Sequence, residues 1–510
     1  MKPPRLLRLL CCRAVLLPAF VLLESALLFC GVWLLARRSP LLALLLHTMS
    51  MLAVLYIVSK HDNPYYKLAW VVLILMVPIL GGFIYLIAGN KRLPRRLKQQ
   101  LVSYYQQSLS TVCMDSGSET SLTSLDEHLA LQSMYLKNCT GFAAWQNTTC
   151  EFFPSGSALF ERMCHELETA EKFIFLEYFI ISPGVLWNRI LTILEKKVKA
   201  GILVRIMFDD VGTINRLPRH YERILREKGI EVTVFNPCRV HINAAMNYRD
   251  HRKLCIIDGN VGFCGGANLA DEYINRLPRC GHWKDSGVLL KGHGVWNLTL
   301  LFLGLWGFSN NERLHDFSLF VPTITCRSDG FVQAFGDSPL DNLYVAETFC
   351  LKSIARATKY IYITTPYLVL GHEMISALGS AALSGVDVRI ITPAVPDKWY
   401  VHTISRSYYA SLLRYGVRIF EYQPGFIHAK QLVSDDITAM VGTTNLDFRS
   451  FYLHFECAVC LYGCSAIKSI LNDVKSTLVC CKEITFDDTQ RFPLWQRIIA
   501  AVLRPFAPLF

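Results

Sequence analysis

Long apolar stretches mark the first ninety residues, whereas the rest of the chain alternates shorter apolar and polar runs. Two stretches, 41–58 and 68–88, approach the roughly 20 residues that an α-helix needs to cross a hydrocarbon core. A third, 14–36, is long enough but contains a proline and a glutamate. We therefore predict a membrane region over 1–98 with spans near 41–58 and 68–88. Segment 14–36 stays open as an interfacial, re-entrant or third spanning segment.

The basic residues that flank these stretches indicate an orientation. If all three stretches span, lysines and arginines divide almost evenly between the two sides, which decides nothing. If 14–36 does not span, eleven fall on one side and only Lys60 and Lys67 on the other. Because basic loops stay in the cytoplasm, this asymmetry predicts a multi-pass protein of the cell membrane with a cytoplasmic N-terminus and C-terminal body.

Two segments flank the body of the chain. Ser103–Glu127 is rich in serine and threonine and has neither helical nor strand period, so we predict a linker or mobile arm over 99–149. At the other end, 486–510 is amphipathic, and apolar residues recur at helical spacing within Pro493–Arg504. We expect this C-terminal segment either to lie in the membrane interface or to pack on the body.

The body repeats one pattern of elements. Corresponding strand runs begin near 173 and 360, near 201 and 385, and near 229 and 416, with helical patterns before them. Each half therefore follows the order strand–helix–strand–helix–strand, which is typical of a mixed sheet covered by helices. We predict an α/β fold in which two homologous halves, 150–320 and 325–485, pack as a pseudo-dimer.

Composition narrows the class of partner. The 510 residues are 52% hydrophobic with a net charge of +11, which suits nucleic acid or an anionic membrane surface. The apolar N-terminal region favours the membrane, so we expect no nucleic acid partner. The 18 cysteines lack regular spacing, which is typical of a reducing compartment. Cys457 and Cys460 lie in a strand-like run and would point to opposite faces, so we expect no metal site there.

One constellation of polar residues occurs twice. The first copy contains His251, Lys253, Asp258, Gly265, Gly266 and Asn268, and the second contains His428, Lys430, Asp435, Gly442, Thr443 and Asn445. Every pair is separated by 177 positions, as from 251 to 428. A single His-x-Lys is weak evidence, but six matches in register within a repeated fold are strong evidence for one composite site.

These residue types suit chemistry on a phosphodiester. In a strand, His and Lys at positions i and i+2 share a face, so an imidazole and an ammonium can meet one phosphate. One histidine can attack phosphorus while the other, protonated, gives its proton to the leaving alcohol. The lysines stabilise charge on the phosphate oxygens, and the asparagines can donate further hydrogen bonds. This chemistry needs no metal or other cofactor.

A histidine nucleophile needs an acceptor at its second ring nitrogen. Glu456, on the next predicted strand, is our candidate for orienting His428. No carboxylate stands at the equivalent spacing after His251, so Asp285 is the candidate there. Asp258 and Asp435 follow strand runs and are expected to serve in turns or caps rather than in the reaction itself.

The paired motifs resemble those of the phospholipase D superfamily, and the resemblance to bacterial cardiolipin synthases covers nearly the whole chain. The segments that carry it are Asn-Pro-Tyr-Tyr-Lys-Leu-Ala-Trp at 63–70, Phe-Asp-Asp-Val-Gly at 208–212, Asn-Tyr-Arg-Asp-His-Arg-Lys at 247–253, Gly-Gly-Ala-Asn-Leu-Ala-Asp-Glu-Tyr at 265–273, Tyr-Gln-Pro-Gly-Phe-Ile-His-Ala-Lys at 422–430 and Asn-Leu-Asp-Phe-Arg-Ser-Phe at 445–451. Two positions depart from the family pattern. Thr443 stands where serine is usual, and His454 where asparagine is usual.

This resemblance implies a phosphatidyl transfer between two phosphatidylglycerol molecules that yields cardiolipin and glycerol without a metal. It implies a phosphatidyl-histidine intermediate, for which we favour His251 as nucleophile and His428 as acid and base. The alternatives are a phospholipase D-type hydrolase, another phosphatidyltransferase, a nuclease or a non-catalytic membrane scaffold. The sequence leaves the oligomeric state open.

Overall fold

The computed structural model describes residues 30–31, 34, 37–77, 81–82, 84–85, 89, 99, 103, 118–238, 247–312, 316–327, 329–340 and 343–509. Segment 14–36 therefore lies largely outside the described residues. Residues 91–98, which contain five of the eleven basic residues counted on one side of the membrane, lie entirely outside them. Two apolar helices, α1 (Pro40–Ser59) and α2 (Pro64–Met76), begin the described fold.

Helix α1 matches the predicted span at 41–58. Among the described residues it is the one helix long and apolar enough to cross a membrane, and of its side chains only Ser50 and Ile57 are buried. Ser39 caps its N-terminus by accepting a hydrogen bond from the N–H of Leu42. Helix α2 covers the first part of the predicted span at 68–88, whose remaining residues are only partly described.

The prediction of a linker over 99–149 is wrong for the stretch 118–140. Helix α3 (Ser118–Leu125) and helix α4 (Glu127–Thr140) form there, and Asp126 caps α4. Leu122, Leu129 and Leu136 are fully buried in the main core. Because most residues of this stretch are polar, its sequence pattern did not indicate the few leucines through which the two helices pack on the body.

The first half of the body is built on a seven-stranded sheet. Its strands are β1 (Thr148–Phe153), β2 (Phe173–Tyr178), β3 (Leu203–Asp209), β4 (Glu231–Phe235), β6 (Lys253–Ile257), β7 (Val261–Gly265) and β9 (Gly287–Gly292). The strand order is β1-β9-β7-β6-β2-β3-β4, parallel across β2-β3-β4 and antiparallel elsewhere. The apolar strand runs of the sequence are the buried central strands of this mixed sheet.

The second half repeats that sheet. Its strands are β10 (Phe331–Asp337), β11 (Tyr360–Thr364), β12 (Asp387–Pro393), β13 (Arg418–Tyr422), β15 (Gln431–Ser434), β16 (Thr438–Gly442), β17 (His454–Tyr462) and β18 (Cys481–Ile484). The order β10-β17-β16-β15-β11-β12-β13 reproduces the first sheet strand for strand, and β18 extends it. This match confirms the predicted α/β fold of two homologous halves.

Helices cover both sheets and one lies between them. Those not yet given are α5 (Gly156–Thr169), α6 (Val185–Lys199), α7 (Asp210–Thr213), α8 (Tyr221–Glu227), α9 (Val295–Asn310), α10 (Val345–Arg356), α11 (His372–Leu383), α12 (Trp399–Ser407), α13 (Tyr409–Arg414), α14 (Phe448–Tyr452), α15 (Ala466–Val479), α16 (Phe486–Gln490) and α17 (Leu494–Leu503). Helix α9 contacts β4, β6 and β7 of one sheet and β10 of the other, and its residues 295–307 are all buried. An all-round apolar helix thus joins the halves.

Two short strands cross between the halves. Strand β5 (Arg249–Asp250) pairs in parallel with β17, and β14 (Gly425–Ile427) pairs in parallel with β8 (His282–Lys284). Each therefore leaves its own half's sheet to pair with a strand of the other half. The two motif histidines, His251 and His428, directly follow these two crossing strands.

The predicted C-terminal helix is present as α17. It packs on α12 and leaves Leu494, Trp495, Ile498 and Val502 more than half exposed, while Ala500 is buried. One side of α17 therefore rests on the body, and its other side is an exposed apolar stripe.

Candidate active site

His251 is held against the second half of the chain. Its backbone N–H donates to the carbonyl of Phe455 at 2.9 Å, which continues the pairing of β5 with β17. Its Nδ1 lies 2.9 and 3.0 Å from the two carboxylate oxygens of Glu456. Thr443 donates its hydroxyl to the same carboxylate at 2.5 Å. Glu456 and Thr443 thus fix the ring of His251 so that Nε2 is the free nitrogen.

His428 is held in the same way against the first half. Its N–H donates to the carbonyl of Lys284 at 2.7 Å, beside the pairing of β14 with β8. Its Nδ1 lies 2.7 Å from Oδ2 of Asp285, whose Oδ1 accepts from the N–H of Ser286. Rings of Tyr273 and Trp283, both 5.5 Å away, enclose the imidazole.

The predicted partnership of carboxylates and histidines is therefore wrong in its assignment. Glu456 contacts His251 rather than His428, and Asp285 contacts His428 rather than His251. The cause is the strand crossing. Strand β5 brings His251 beside β17, which carries Glu456, and β14 brings His428 beside Asp285, which directly follows β8. His454 likewise lies beside His251, with ring centroids 5.3 Å apart.

The two motif lysines begin or precede the next strand and are buried. Lys253 donates to the carbonyl of His251 and Lys430 to the carbonyl of His428, each at 2.5 Å. Both are about 2% exposed. Each ammonium is thereby fixed next to its histidine, as a group that stabilises a phosphate must be.

Asp258 directly follows strand β6, and Asp435 directly follows strand β15. Each aspartate therefore lies at the end of its strand that is farther from the motif histidine. Both have positive φ angles, +55° and +52°. Asp258 accepts from the N–H groups of residues 171–173, and Asp435 from those of residues 358–360. The expectation that these two carboxylates serve in turns matches these contacts, because each closes a turn and caps the start of a neighbouring strand.

The remaining motif positions differ between the halves. Asn268 is satisfied: Oδ1 accepts from the N–H of Ile180, and Nδ2 donates to the hydroxyl of Tyr273. Asn445 donates Nδ2 to Asp447, but its Oδ1 is buried without a hydrogen-bond partner. Gly266, the counterpart of Thr443, has no room for a side chain, because a Cβ would lie 2.3 Å from Oδ1 of Asp285.

Both histidines line one cavity of about 550 Å³ between the halves. Motif asparagines from both halves also line it, as do aromatic residues and several charged residues outside the motifs. The charged residues are Arg216, Glu272, Arg279, Asp397, Lys398, Asp447 and Arg449. A single reacting group in this cavity can therefore meet groups from both halves.

Burial sets the protonation of the site. It lowers the pKa of His428 to about 4, with Lys430 adding to the effect, and it lowers the pKa of His251 in the same direction. Burial also lowers the pKa of Lys430 to about 7. For Asp285 burial acts upward, but the hydrogen bond and charge of His428 outweigh it, so its pKa lies below the ordinary value. Neutral imidazoles suit nucleophilic or base duty, and a bound phosphate would raise both pKa values.

The sequence signals did not identify several cavity residues. Tyr273, Trp283 and Arg449 lie within the quoted family segments or beside Asp285, so their sequence neighbourhood pointed to the region but not to a role. Lys398 had no sequence signal of its own.

Among the described residues, His251, His454 and Glu456 form one group with metal-ligand spacing, their ligand atoms lying within 4.8 Å of one another. The Glu456 oxygens already accept from His251 and Thr443.

Comparison with protein families matches the chain to two models. A model described as "Cardiolipin synthase, PLD-like domain" matches residues 163–277 and 350–477, one segment in each half. A model described as "Phospholipase_D-nuclease N-terminal" matches residues 49–90.

Similar proteins cover almost the whole chain. A cardiolipin synthase of Alkalihalophilus pseudofirmus is 32% identical over 88% of this chain and 90% of its own length. Cardiolipin synthase 2 of Bacillus anthracis is 33% identical over 89% of this chain and 88% of its own length. A phosphatidylserine synthase of Haemophilus influenzae, 13% identical, superposes with a TM-score of 0.56 over 74% of this chain and 97% of its own, which supports the fold alone.

Proposed function

Because the chain belongs to the cardiolipin synthase family of phospholipase D-like proteins, we propose that it transfers a phosphatidyl group between two phosphatidylglycerol molecules. The products are cardiolipin and glycerol. The observation that carries this proposal is the pair of oriented histidines, one from each motif, that line a single cavity. Similarity to cardiolipin synthases along nearly the whole chain supports the choice of lipid.

In the proposed reaction His251 attacks the phosphorus of the first phosphatidylglycerol through Nε2. The phosphorus–oxygen bond to glycerol breaks, and protonated His428 gives its proton to the departing glycerol oxygen. Lys253 and Lys430 stabilise the negative oxygens of the phosphoryl group during the displacement. A hydroxyl of the second phosphatidylglycerol then gives its proton to His428 and displaces His251.

Asn268 and Asn445 are proposed to position the phosphoryl group from the cavity walls. Glu456 and Asp285 act through the histidines as positioning residues, and Thr443 supports Glu456. Asp258 and Asp435 hold the strands and take no part in the chemistry. The proposal assigns no cofactor, since the proton transfers and the charge stabilisation each have a residue.

We further propose that α1 and the following apolar segment fix the chain in the cell membrane as two spans, with the body on the cytoplasmic face. The exposed apolar stripe of α17 would lie in the lipid interface on that side. A phosphatidylglycerol headgroup could then reach the cavity while its acyl chains remain in the bilayer. Protease accessibility of a tag at the C-terminus of the body in inside-out and right-side-out vesicles distinguishes the two orientations.

The function is tested with the purified full chain in phosphatidylglycerol micelles. We expect equimolar glycerol and cardiolipin, and loss of both products in His251→Ala and in His428→Ala. The control Lys468→Gln removes an exposed cation on α15 and should leave both products unchanged. Formation of phosphatidic acid without cardiolipin would favour a hydrolase, and cleavage of single-stranded DNA without lipid turnover would favour a nuclease.

A further inference from the structure

The cavity walls of the two halves carry opposite charges at equivalent positions. Glu272 follows Asn268 by four residues, and Arg449 follows Asn445 by four residues. Glu272 is neutralised, since its carboxylate lies 2.6 Å from Arg216. Arg449 forms no ion pair within 4.0 Å with a described carboxylate, and its Nη1 lies 3.5 Å from Nε2 of His454. The repeat has therefore left one guanidinium on the second wall without a carboxylate at ion-pair distance, and Asp447 acts on its charge only from farther away.

A second cation without a carboxylate partner stands near the opening of the cavity. Lys398 is exposed, and its ammonium lies 5.5 Å from the ring centroid of Tyr367. It also forms no ion pair with a described carboxylate. The electrostatic effect of Lys398 reaches His251, where it helps to lower the pKa of that imidazole. Lys398 lines the same cavity as both histidines, so it can hold part of a lipid bound there.

The carboxylates of this wall are already engaged by other donors. Asp397 accepts from the hydroxyl of Tyr367 at 2.6 Å. Asp447 accepts from Nδ2 of Asn445 at 3.1 Å and from the N–H of Ser450 at 2.7 Å. On the other wall, Arg279 is half exposed and lies 3.9 Å from Glu272. The cations available to a ligand are therefore concentrated on the wall of the second half.

An unsatisfied acceptor lies on the same wall. Oδ1 of Asn445 is buried and has no hydrogen-bond partner, whereas its counterpart Asn268 has both amide atoms paired. A buried polar atom without a partner is costly, so a ligand hydroxyl or a bound water is expected to satisfy it. A glycerol headgroup offers such hydroxyls next to its phosphate.

We propose that Lys398 and Arg449 bind the non-reacting phosphate of the second phospholipid, and that Asn445 accepts a hydrogen bond from its glycerol. This inference rests on the proposed function, because only an anionic acceptor lipid brings a second phosphate into the cavity. Lys253 and Lys430 serve the reacting phosphate. Two like-charged phosphates joined by one glycerol need two separate cationic sites, since neither site can neutralise both.

The subsite acts at the transfer step. The hydroxyl oxygen of the bound acceptor forms the new bond to phosphorus, its proton passes to His428, and the phosphorus–nitrogen bond to His251 breaks. Water or a neutral alcohol can perform the same step without a second phosphate. The cations at 398 and 449 should therefore act on the choice of acceptor, because they bind a second phosphate that water and neutral alcohols lack.

The position of the subsite agrees with delivery of a lipid from the membrane. Phe448, next to Arg449, lines the cavity and packs against Tyr65 of α2, with ring centroids 5.4 Å apart. The Tyr65 hydroxyl also accepts a hydrogen bond from the N–H of His372. The apolar N-terminal helices thus meet the body beside the wall that carries the two cations.

Acceptor competition tests this proposal. The full chain acts on phosphatidylglycerol micelles that contain a fixed amount of 1-butanol, and the ratio of cardiolipin to phosphatidylbutanol is measured. Both products arise from one intermediate, so the ratio reports only the acceptor. We expect Lys398→Gln and Arg449→Gln each to lower the ratio roughly tenfold, the effect of losing one hydrogen bond to a charged group. Arg449→Lys should recover part of it.

The thermal denaturation midpoint of Lys398→Gln should match wild type, because its exposed side chain is not needed for folding. Lys468→Gln, the matched surface control, should change neither the total phosphatidyl transfer nor the ratio of cardiolipin to phosphatidylbutanol. Glycerol 3-phosphate added to wild type should compete with phosphatidylglycerol as an acceptor better than glycerol does if a phosphate is recognised apart from the acyl chains. Unchanged ratios in both Gln variants would overturn the subsite. Phosphatidylbutanol without any cardiolipin in wild type would instead overturn the proposed function.

Discussion

The two halves share a strand order but differ in the residues around their histidines. In the second half, Thr443 donates to Glu456, and together they fix His251. At the equivalent point of the first half, Gly266 leaves space for the carboxylate of Asp285, which fixes His428. Both halves therefore contain a histidine and a lysine at matching positions, but their carboxylates differ. Glu456 has the longer side chain and accepts from a hydroxyl, whereas Asp285 has the shorter side chain and lies against a glycine.

This comparison teaches that neither half can make a complete site. Each histidine depends on a carboxylate from the opposite half, and each crossing strand pairs with a strand of that half. The interface between the halves is therefore part of the catalytic machinery as well as of the core. Variants that change one side of this exchange should reveal how far the halves are interchangeable.

The largest effect is expected from removing either positioning carboxylate. In Glu456→Gln and in Asp285→Asn the amide no longer holds the histidine in the tautomer that leaves Nε2 free. We expect kcat for glycerol release to fall by about 10²–10⁴ in each variant, as for other oriented histidines. Steady-state assays in micelles measure this. A fall of less than threefold in either variant would refute the positioning role of that carboxylate.

Substitutions at the equivalent positions 266 and 443 should lower kcat by different amounts. Gly266→Thr forces a side chain onto Oδ1 of Asp285, so we expect kcat to fall by about 10²-fold because His428 loses its partner. Thr443→Gly removes one hydrogen bond to a charged carboxylate and should cost roughly tenfold. The two kcat values are compared with the circular dichroism spectra of the same samples. Equal losses would contradict the packing difference.

The charge of Lys430 should make the activity depend on pH. The pKa of Lys430 lies at about 7, because burial disfavours its charge. As pH rises through that value, the free enzyme loses a positive charge that its phosphate substrate needs. We therefore expect kcat/KM to fall by up to about tenfold per pH unit above pH 7. A flat profile between pH 6 and 9 would show that the charge on Lys430 is not needed.

The smallest effect on catalysis is expected at the turn carboxylates. Asp258→Ala and Asp435→Ala each remove hydrogen bonds to three backbone N–H groups and should lower the free energy of unfolding by about 1–3 kcal/mol. Thermal denaturation measures this, with Glu168→Ala at an exposed position of α5 as control. The activity per folded molecule should match wild type. A large loss of kcat would instead indicate that these residues take part in the reaction.

Much of this architecture could be predicted from the sequence, because its causes are local. The buried strands at 173–178 and 360–364 appear as runs rich in apolar residues, and the constant offset between motifs revealed the repeat. The glycines and aspartates after the motif strands marked turns by their own conformational preferences, and Asp258 and Asp435 indeed adopt positive φ.

The crossed partnership could not be predicted in this way. Strands β5 and β14 contain two and three residues, too few for a periodic pattern, and their partners lie far away in sequence. Glu456 and His251 are 205 positions apart, so only the packing of the two halves brings them together. Helix α3 was missed for a related reason, since its polar composition conceals the burial of Leu122.

The central claim is that His251 forms a covalent intermediate with the phosphorus while His428, from the other half, transfers the protons. Rapid mixing with phosphatidylglycerol labelled in its phosphate, followed by an alkaline quench and peptide mapping, tests it most directly. The account predicts a labelled phosphatidyl-histidine at residue 251 that forms as glycerol is released and decays as cardiolipin appears. Cardiolipin formation with no label on either histidine at any time would contradict it.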